Sequence, residues 1–242
     1  ELIDSTQRLV AFIQYYFKDL GESKGHTWCS EKILRAAISN NIYECCNKVD
    51  WLLENNDFLH IDNGRIGLKY YYDIEMQIYH LILNKSKIET TINISDEAID
   101  KAIKHAEEEQ GFDYVVEQLD TIHKSLHRTV SLITGKAGTG KTSIMRAIVK
   151  AYMENNYMMT ASALSAMAAQ RITEATEFPA MTIHRTLGCQ GLNDFTYNKD
   201  NHLITDVAFL DEGSMVNASL FLHWLEAIGD NTRIIISGDH KQ

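Results

Sequence analysis

The stretch that decides the fold is Thr129–Thr142, which reads T-V-S-L-I-T-G-K-A-G-T-G-K-T. Its first half is a short apolar and β-prone run, of the kind found in strands that are buried in parallel sheets. Its second half, from Gly135 to Thr142, matches the complete G-x-x-x-x-G-K-T pattern of a P-loop. The order therefore predicts a strand, a phosphate-binding turn and a helix that begins near Lys141.

Each residue type in this pattern suits the binding of a nucleoside triphosphate such as ATP. The glycines allow the backbone to turn its N–H groups toward phosphate oxygens. Lys141 can place an ammonium group beside the β- and γ-phosphates, and the hydroxyl of Thr142 can bind Mg²⁺. The alternative is a glycine-rich turn that binds nothing. The nucleotide contacts predicted for this loop come from Gly135, Lys136, Ala137, Gly138, Thr139, Gly140, Lys141, Thr142 and Ser143.

The composition of the whole chain limits the classes of function. A chain of 242 residues can hold one large domain or two modest ones. The formal net charge of −10 excludes a generally basic protein that coats nucleic acid, although a local positive groove remains compatible with it. Without a signal peptide or a long apolar run, we expect a cytoplasmic protein with no membrane contact. A reducing compartment also fits the absence of disulfide or zinc spacing among Cys29, Cys45, Cys46 and Cys189.

Residues 1–90 predict a mainly helical N-terminal domain. Apolar residues at helical spacing indicate a helix over residues 2–20, and two short helices are expected at 31–38 and 42–54. Asn63-Gly64 lies between two apolar stretches and predicts a hairpin, which a helix over residues 72–84 follows. Helices, a hairpin and a further helix in this order are typical of a winged-helix module.

The charges of this module argue against the reading of DNA. The helix that would enter a DNA groove carries Glu44, Asp50 and Glu54 against only Lys48. A groove-reading helix needs cationic residues for the phosphates and polar residues for the base edges. We therefore expect a structural or partner-docking role, with possible protein partners.

Residues 91–242 predict an α/β domain with a parallel sheet, because predicted strands alternate with helices. Helices are expected over Asp96–Gln110 and over Tyr114–Leu126, the second of them with Asp113 as its cap. Gly188–Asn201 is expected to form an exposed loop. Ligands of parallel sheets bind at the carboxyl ends of the strands. Beyond the P-loop, strands are expected over 157–161, 206–210 and 233–237, and helices over 165–176 and 217–228.

Two further motifs come directly after predicted strands. V-A-F-L followed by Asp211 and Glu212 is the Walker B arrangement, in which Asp211 would hold hydrated Mg²⁺ and Glu212 would deprotonate the attacking water. G-D-H-K-Q ends at Gln242, whose amide could contact the γ-phosphate, although an ordinary turn explains this stretch equally well. The predicted catalytic residues are therefore Lys141, Glu212 and Gln242, and the predicted Mg²⁺ ligands are Thr142 and Asp211.

Together these three motifs resemble the core motifs of superfamily 1 DNA helicases. The stretches Thr160–Thr176 and Thr182–Gly188 are similar to the DNA-contacting motifs of the RecD-like group. Gln118 falls where that group carries its adenine-recognising glutamine. Gly25-His26-Thr27-Trp28 resembles the N-terminal region of the stand-alone RecD-like helicases, the family of the exodeoxyribonuclease V alpha subunit. The resemblance covers nearly the whole chain.

The resemblance implies a RecA-like P-loop domain in an ATP-driven motor, preceded by a winged-helix-type domain. Such a motor would move 5′-to-3′ on single-stranded DNA and separate duplex in recombination and repair. It implies that Ser162, Thr182 and His184 face the DNA strand, because hydroxyl and imidazole groups can hold phosphates without a basic surface. The family's second RecA-like domain is not found before Gln242, so we expect this chain alone to be a nearly inactive monomer.

Several departures from the family pattern are mild, and three alternatives remain open. Lys136-Ala137 replaces the usual Gly-Pro, Ser162 the usual Pro, and Gly213 a frequent Ala, yet none of these changes removes a phosphate or metal ligand. The chain could instead be a P-loop ATPase that acts as a switch in a DNA-processing assembly. It could be an inactive nucleotide-binding adaptor, which the intact Lys141 and Glu212 oppose. It could also be the helicase part of a conjugative relaxase.

Overall fold

Two units make up the computed structural model of the chain, which describes residues 5–136, 138–191 and 194–239. One unit contains the part up to Tyr79 together with Asn217–Leu222, and the other contains His80–Val216 with the part from His223 on. This division comes earlier than the predicted boundary after residue 90, which stays a prediction. Among the described residues, no helix is both long and apolar enough to cross a lipid bilayer.

The N-terminal elements have the order that was predicted for a winged helix. The expected hairpin forms around Asn63-Gly64, and a short strand that the sequence did not predict pairs antiparallel with its second strand. The expected helix over residues 42–54 is divided into a 3-10 helix and a short α-helix. The elements are α1 (Ser5–Lys24), β1 (Trp28–Ser30), α2 (Glu31–Asn41), the 3-10 helix Tyr43–Lys48, α3 (Val49–Glu54), β2 (Leu59–Asp62), β3 (Arg65–Leu68) and α4 (Lys69–Lys85).

The rest of the chain alternates between strands and helices, which confirms the predicted α/β class. Its elements are α5 (Asp96–Gln110), α6 (Val116–His127), β4 (Val130–Thr134), α7 (Lys141–Glu154), β5 (Met159–Ala163), α8 (Ala166–Thr176), β6 (Ala180–Thr182), α9 (Ile183–Thr186), β7 (Cys189–Gly191), β8 (Asp194–Phe195), β9 (Val207–Asp211), the 3-10 helix Gly213–Met215, α10 (Ala218–Glu226) and β10 (Arg233–Gly238). Five strands form one sheet in the order β4-β10-β9-β5-β6. Every pairing within it is parallel.

The sheet order brings the chemistry-bearing turns together. β10 lies between β4 and β9, with Gly238 opposite Thr134 and Ile236 opposite Leu210. β9 and β10 are apolar and almost completely buried, as expected of central strands in a parallel sheet. The carboxyl ends of β4, β9 and β10 therefore lie side by side at one edge of the sheet, where ligands of such folds bind.

Two local predictions were wrong. The predicted loop Gly188–Asn201 contains the antiparallel pair β7 and β8, which Phe195 anchors because its ring is buried and lies 5.1 Å from the ring of His223. Helix α6 begins at Val116 rather than Tyr114, because Val115 has an extended backbone with a φ of −78° and a ψ of 162°.

A buried lysine fixes the turn that leads into β10. The ammonium of Lys85 donates to the carbonyl oxygens of Gly229, Asp230 at 3.3 Å and Thr232 at 3.4 Å. Burial lowers the pKa of Lys85 to about 8, although the nearby Asp230 carboxylate partly offsets this effect. Desolvation of the ammonium group therefore lowers the pKa of Lys85 by more than the Asp230 carboxylate raises it.

This low pKa predicts a pH-dependent stability. The unfolded lysine has a pKa of about 10.4, so between about pH 8 and 10.4 the unfolded state binds more protons than the folded state. The free energy of unfolding should therefore rise with pH through this window, and Lys85→Met should remove that part of the rise. Urea denaturation at pH 7.5 and at pH 9.5 measures the free energy of unfolding at each pH. The exposed neighbour Lys87→Met is the matched control, and an equal rise in parent and Lys85→Met would contradict the prediction.

Candidate nucleotide-binding site

The P-loop connects the end of β4 to the start of α7. Gly140 precedes the helix with a φ of +82°, a left-handed conformation that favours glycine. A Cβ atom at this position would also collide with the side-chain amide of Gln118. The hydroxyl of Thr139 donates to the carbonyl of Lys136 at 2.9 Å and closes the loop. These contacts explain why this turn requires glycine and why it holds its shape.

Lys141, in the first turn of α7, is folded over the loop. Its ammonium donates to the carbonyl oxygen of Gly135 and, at 3.2 Å, to that of Lys136. The side chain of Thr142 is the next along the helix and faces the same cavity. A cation, a hydroxyl and the positive end of a 14-residue helix are thus presented together, an arrangement that favours phosphate groups.

Helix α6 is attached to the P-loop at its N-terminal end. The side-chain oxygen of Gln118 accepts from the N–H of Val115 at 3.1 Å, and its amide nitrogen donates to the carbonyl of Thr139 at 3.5 Å. The hydroxyl of Tyr114 donates to the carbonyl of Ser143 at 2.7 Å, and burial raises the pKa of this tyrosine to about 12, so it stays a donor. Gln118 therefore lies beside the loop, and its role in recognising adenine stays a prediction.

The acidic pair lies at the end of β9. Asp211 ends the strand, and its carboxylate accepts a hydrogen bond from the buried hydroxyl of Ser237 on β10. Glu212 follows with a φ of +52°, a left-handed conformation that is uncommon for residues other than glycine. Such strain is frequent at functional sites, where the surrounding structure holds the residue in place.

The P-loop, the start of α7, helix α8 and the ends of β9 and β10 line one cavity of about 480 Å³. Two cations and three acids line it together, and both the Thr142 hydroxyl and the Asp211 carboxylate offer the oxygen ligands that Mg²⁺ prefers. The lining residues are Gly138, Gly140, Lys141, Thr142, Ala168, Arg171, Ile172, Asp211, Glu212, Gly238 and Asp239.

Three residues near or in this cavity were missed by the sequence analysis. Arg171 lies three residues after Ala168 on α8, a spacing that places both on one face of the helix, and both line the cavity. Ser237 and Asp239 become relevant only because β10 lies beside β9, an order that the sequence does not reveal.

The residues expected to face DNA are in different environments. Ser162 needs a correction, because its side chain is fully buried and its hydroxyl is 3.0 Å from that of Thr186. Thr182 is the N-cap of α9, and its hydroxyl accepts from the N–H of Arg185 at 3.3 Å. His184 is exposed on α9. The predicted roles of Thr182 and His184 stay predictions.

Two predicted site residues, Ala137 in the P-loop and Gln242 in the third motif, lie outside the described residues. Five predicted nucleotide contacts lie in or near the P-loop without lining the cavity, namely Gln118, Gly135, Lys136, Thr139 and Ser143. The other described nucleotide and metal contacts line it together, namely Gly138, Gly140, Lys141, Thr142 and Asp211.

The hydrogen bond from Ser237 predicts a measurable effect on metal binding. Ser237→Ala removes the donor that holds the Asp211 carboxylate, and loss of such an outer contact typically weakens metal binding, here by about tenfold. Mg²⁺ titration of nucleotide binding measures the change. Ser131→Ala is the matched control, because Ser131 is also a buried strand serine and donates only to the carbonyl of Ser125. Unchanged Mg²⁺ dependence in Ser237→Ala would contradict the assignment of Asp211.

A comparison with known protein families identifies the family to which this chain belongs. The family model described as an AAA domain matches residues 118–242, just over half of the chain. The chain belongs to the AAA domain family. This AAA domain includes the whole P-loop, the acidic pair and the third motif, and membership implies nucleotide binding.

Curated relatives of this chain include proteins of the RecD group. These matches confirm that the chain resembles the RecD-like superfamily 1 helicases. The RecBCD enzyme subunit RecD of Buchnera aphidicola subsp. Schizaphis graminum is 26% identical, over 88% of this chain and 40% of its own length. The ATP-dependent RecD2 DNA helicase of Deinococcus radiodurans is 33% identical, over 59% of this chain and 19% of its own. The chain thus spans less than half the length of these relatives.

A solved structure, the Pif1 helicase from Candida albicans, is also similar. It is 25% identical, and the match covers 53% of this chain and 33% of that one with a TM-score of 0.40. Because this TM-score is low, the fold is assigned from the parallel five-stranded sheet of the chain itself.

Proposed function

We propose that this chain is the nucleotide-hydrolysing core of an ATP-dependent DNA helicase that moves 5′-to-3′ along single-stranded DNA and unwinds duplex. The observation that carries the proposal is the meeting of Lys141, Thr142, Asp211 and Glu212 in one cavity. The relative named as an ATP-dependent RecD2 DNA helicase supports the same activity.

In this proposal each residue of the cavity has one task. Lys141 and the N-terminal end of α7 bind the β- and γ-phosphates, and Arg171 adds a second cation to the lining of the same cavity. Thr142 and Asp211 would hold Mg²⁺, which would neutralise charge on the phosphates when bound. Glu212 accepts a proton from the attacking water. Gln118 recognises the adenine, because its amide lies beside Thr139 at the edge of the loop.

The DNA strand would cross the carboxyl end of β6. Thr182 is the last residue of β6, and His184 follows on α9 with an exposed imidazole. Ser162 acts indirectly in this proposal, since its buried hydroxyl bonds with Thr186 and so supports α9. Contacts of this kind bind phosphates through single hydrogen bonds, which suits a chain with a net charge of −10.

The first unit would dock a protein partner rather than read DNA. The acids of its helices are paired internally, Glu44 with Arg8 and Asp50 with Arg35 at 2.5 Å. Two aromatic side chains on the same stretch are exposed, Tyr43 by 75% and Trp51 by 55%. Exposed aromatic residues are enriched at protein interfaces, whereas DNA binding would require unpaired cations.

The test is hydrolysis of ATP by the full-length protein with and without single-stranded DNA. We expect single-stranded DNA to stimulate turnover and blunt duplex to do so poorly, and a strand-displacement assay with 5′ or 3′ overhangs to show unwinding from the 5′ overhang. An equal rate of ATP hydrolysis with and without DNA would contradict the helicase proposal and favour a switch ATPase. If the protein bound no nucleotide, the alternative of a nucleotide-binding adaptor would be contradicted as well.

A further inference from the structure

A cluster of two histidines and two aspartates joins α5 to α6 on a face away from the P-loop cavity. His123 and His127 are one turn apart on α6, and Asp96 and Asp100 are one turn apart on α5. None of these four residues has a part in the proposed nucleotide or DNA contacts.

The donor atoms of this cluster are almost at metal-binding separation. Oδ1 of Asp96 lies 2.9 Å from Nε2 of His127 and 3.7 Å from Nδ1 of His123. One ligand atom from each of these three residues lies within 4.8 Å of the other two. A tetrahedral ion with ligands at about 2.0–2.2 Å separates its donors by roughly 3.3 Å. Small side-chain rotations are therefore enough to form a site.

The fourth residue orients the first histidine. Nε2 of His123 lies 3.1 Å from Oδ1 of Asp100. When this nitrogen carries the proton and donates to Asp100, the lone pair is on Nδ1, which faces Asp96. Metal-binding histidines in proteins almost always bond their second nitrogen to a carboxylate or carbonyl in this way. The arrangement is thus more specific than a pair of histidine–aspartate contacts.

We propose that Asp96, His123 and His127 bind one divalent transition-metal ion, for which zinc fits best, with Asp100 as a positioning residue. Two imidazoles and a carboxylate suit zinc, whereas Mg²⁺ and Ca²⁺ prefer oxygen ligands alone. Water can take the fourth position, because the side chains of His123 and His127 are 30% and 49% exposed. The ion would also offset the charges of Asp96 and Asp100, which otherwise repel each other along α5.

Bound metal would clamp α5 to α6. The same α6 carries Gln118 against the P-loop at its other end, so the clamp would hold a helix that contacts the nucleotide loop. The proposal does not depend on hydrolysis or on DNA binding.

The test is zinc binding by the full chain without a polyhistidine tag, after treatment with a chelator. Competition with a chromophoric chelator should give one zinc per chain, and zinc should raise the thermal unfolding midpoint. His123→Gln and His127→Gln should each weaken binding by at least about tenfold, and Asp100→Asn by about 10- to 100-fold. His105→Gln is the matched control, because His105 lies outside the cluster and pairs with Glu154 at 2.7 Å, so this variant should bind zinc like the parent.

Cobalt distinguishes this site from cysteine sites. Co²⁺ in the parent should show the visible bands of four-coordinate cobalt without a sulfur-to-cobalt charge-transfer band, and the bands should disappear in His123→Gln. Circular dichroism confirms that the variants are folded, which is expected since all four side chains are at the surface. Equal zinc affinity in all variants, a sulfur band, or no zinc binding by the parent would each overturn the proposal.

Discussion

Replacing Glu212 with glutamine is expected to lower the rate of ATP hydrolysis by about 10²–10⁴-fold while leaving nucleotide binding intact. Glutamine keeps the volume of the side chain and leaves Asp211 and its bond with Ser237 in place. It cannot accept the proton of the attacking water. Phosphate release by the full-length protein with single-stranded DNA measures the rate, and binding of a fluorescent ATP analogue measures the affinity.

The backbone at this residue calls for a particular control. Glu212 has a φ of +52°, and Glu177, after α8, has a nearly equal φ of +57°. Glu177→Gln therefore makes the same chemical change in the same left-handed conformation, but Glu177 does not line the P-loop cavity. It should hydrolyse ATP like the parent. An equal loss of binding and turnover in Glu212→Gln would make Glu212 a structural or metal-binding residue instead of the base.

Elements with their own start and stop signals could be predicted from the sequence. Helix α5 was predicted with its observed bounds, Asp96–Gln110, because Ser95 caps its start and Gly111 ends it with a φ of +78°. The P-loop was found in the same way, since its glycines, lysine and threonine are adjacent in the chain. Local chemistry decides such features, so local sequence reveals them.

Three features that depend on partners distant in sequence were missed. β6 has only three residues and exists because Ala161 to Ala163 of β5 pair with it. Ser162 was expected at the surface, but this same pairing places it inside the sheet, where its hydroxyl meets Thr186. The contact of Ser237 with Asp211 likewise follows from the order of β9 and β10. Sheet order and register are tertiary properties that period and propensity do not contain.

Replacing Lys141 with alanine is expected to weaken nucleotide binding by about 10- to 100-fold, and to reduce hydrolysis at least as much. Charge-assisted contacts with phosphate are each worth about 1.5–3 kcal/mol, and about 1.4 kcal/mol corresponds to a factor of ten. The loss in rate follows because charge on the transferred phosphoryl group grows in the transition state. Titration with the fluorescent analogue and a phosphate-release assay measure both quantities.

Two variants separate the charge of Lys141 from its effect on the shape of the loop. Lys141→Gln keeps an N–H donor, on a side chain one atom shorter, but has no charge, so it should be as defective as alanine if the phosphates need a cation. Lys150→Ala, on the same helix and paired with Glu109, should behave like the parent. Recovery of binding in Lys141→Gln would mean that the side chain mainly supports the loop. Parental hydrolysis in Lys141→Ala would show that this cavity is not where ATP reacts, because a P-loop without its lysine has lost the cation that the motif supplies next to the transferred phosphate.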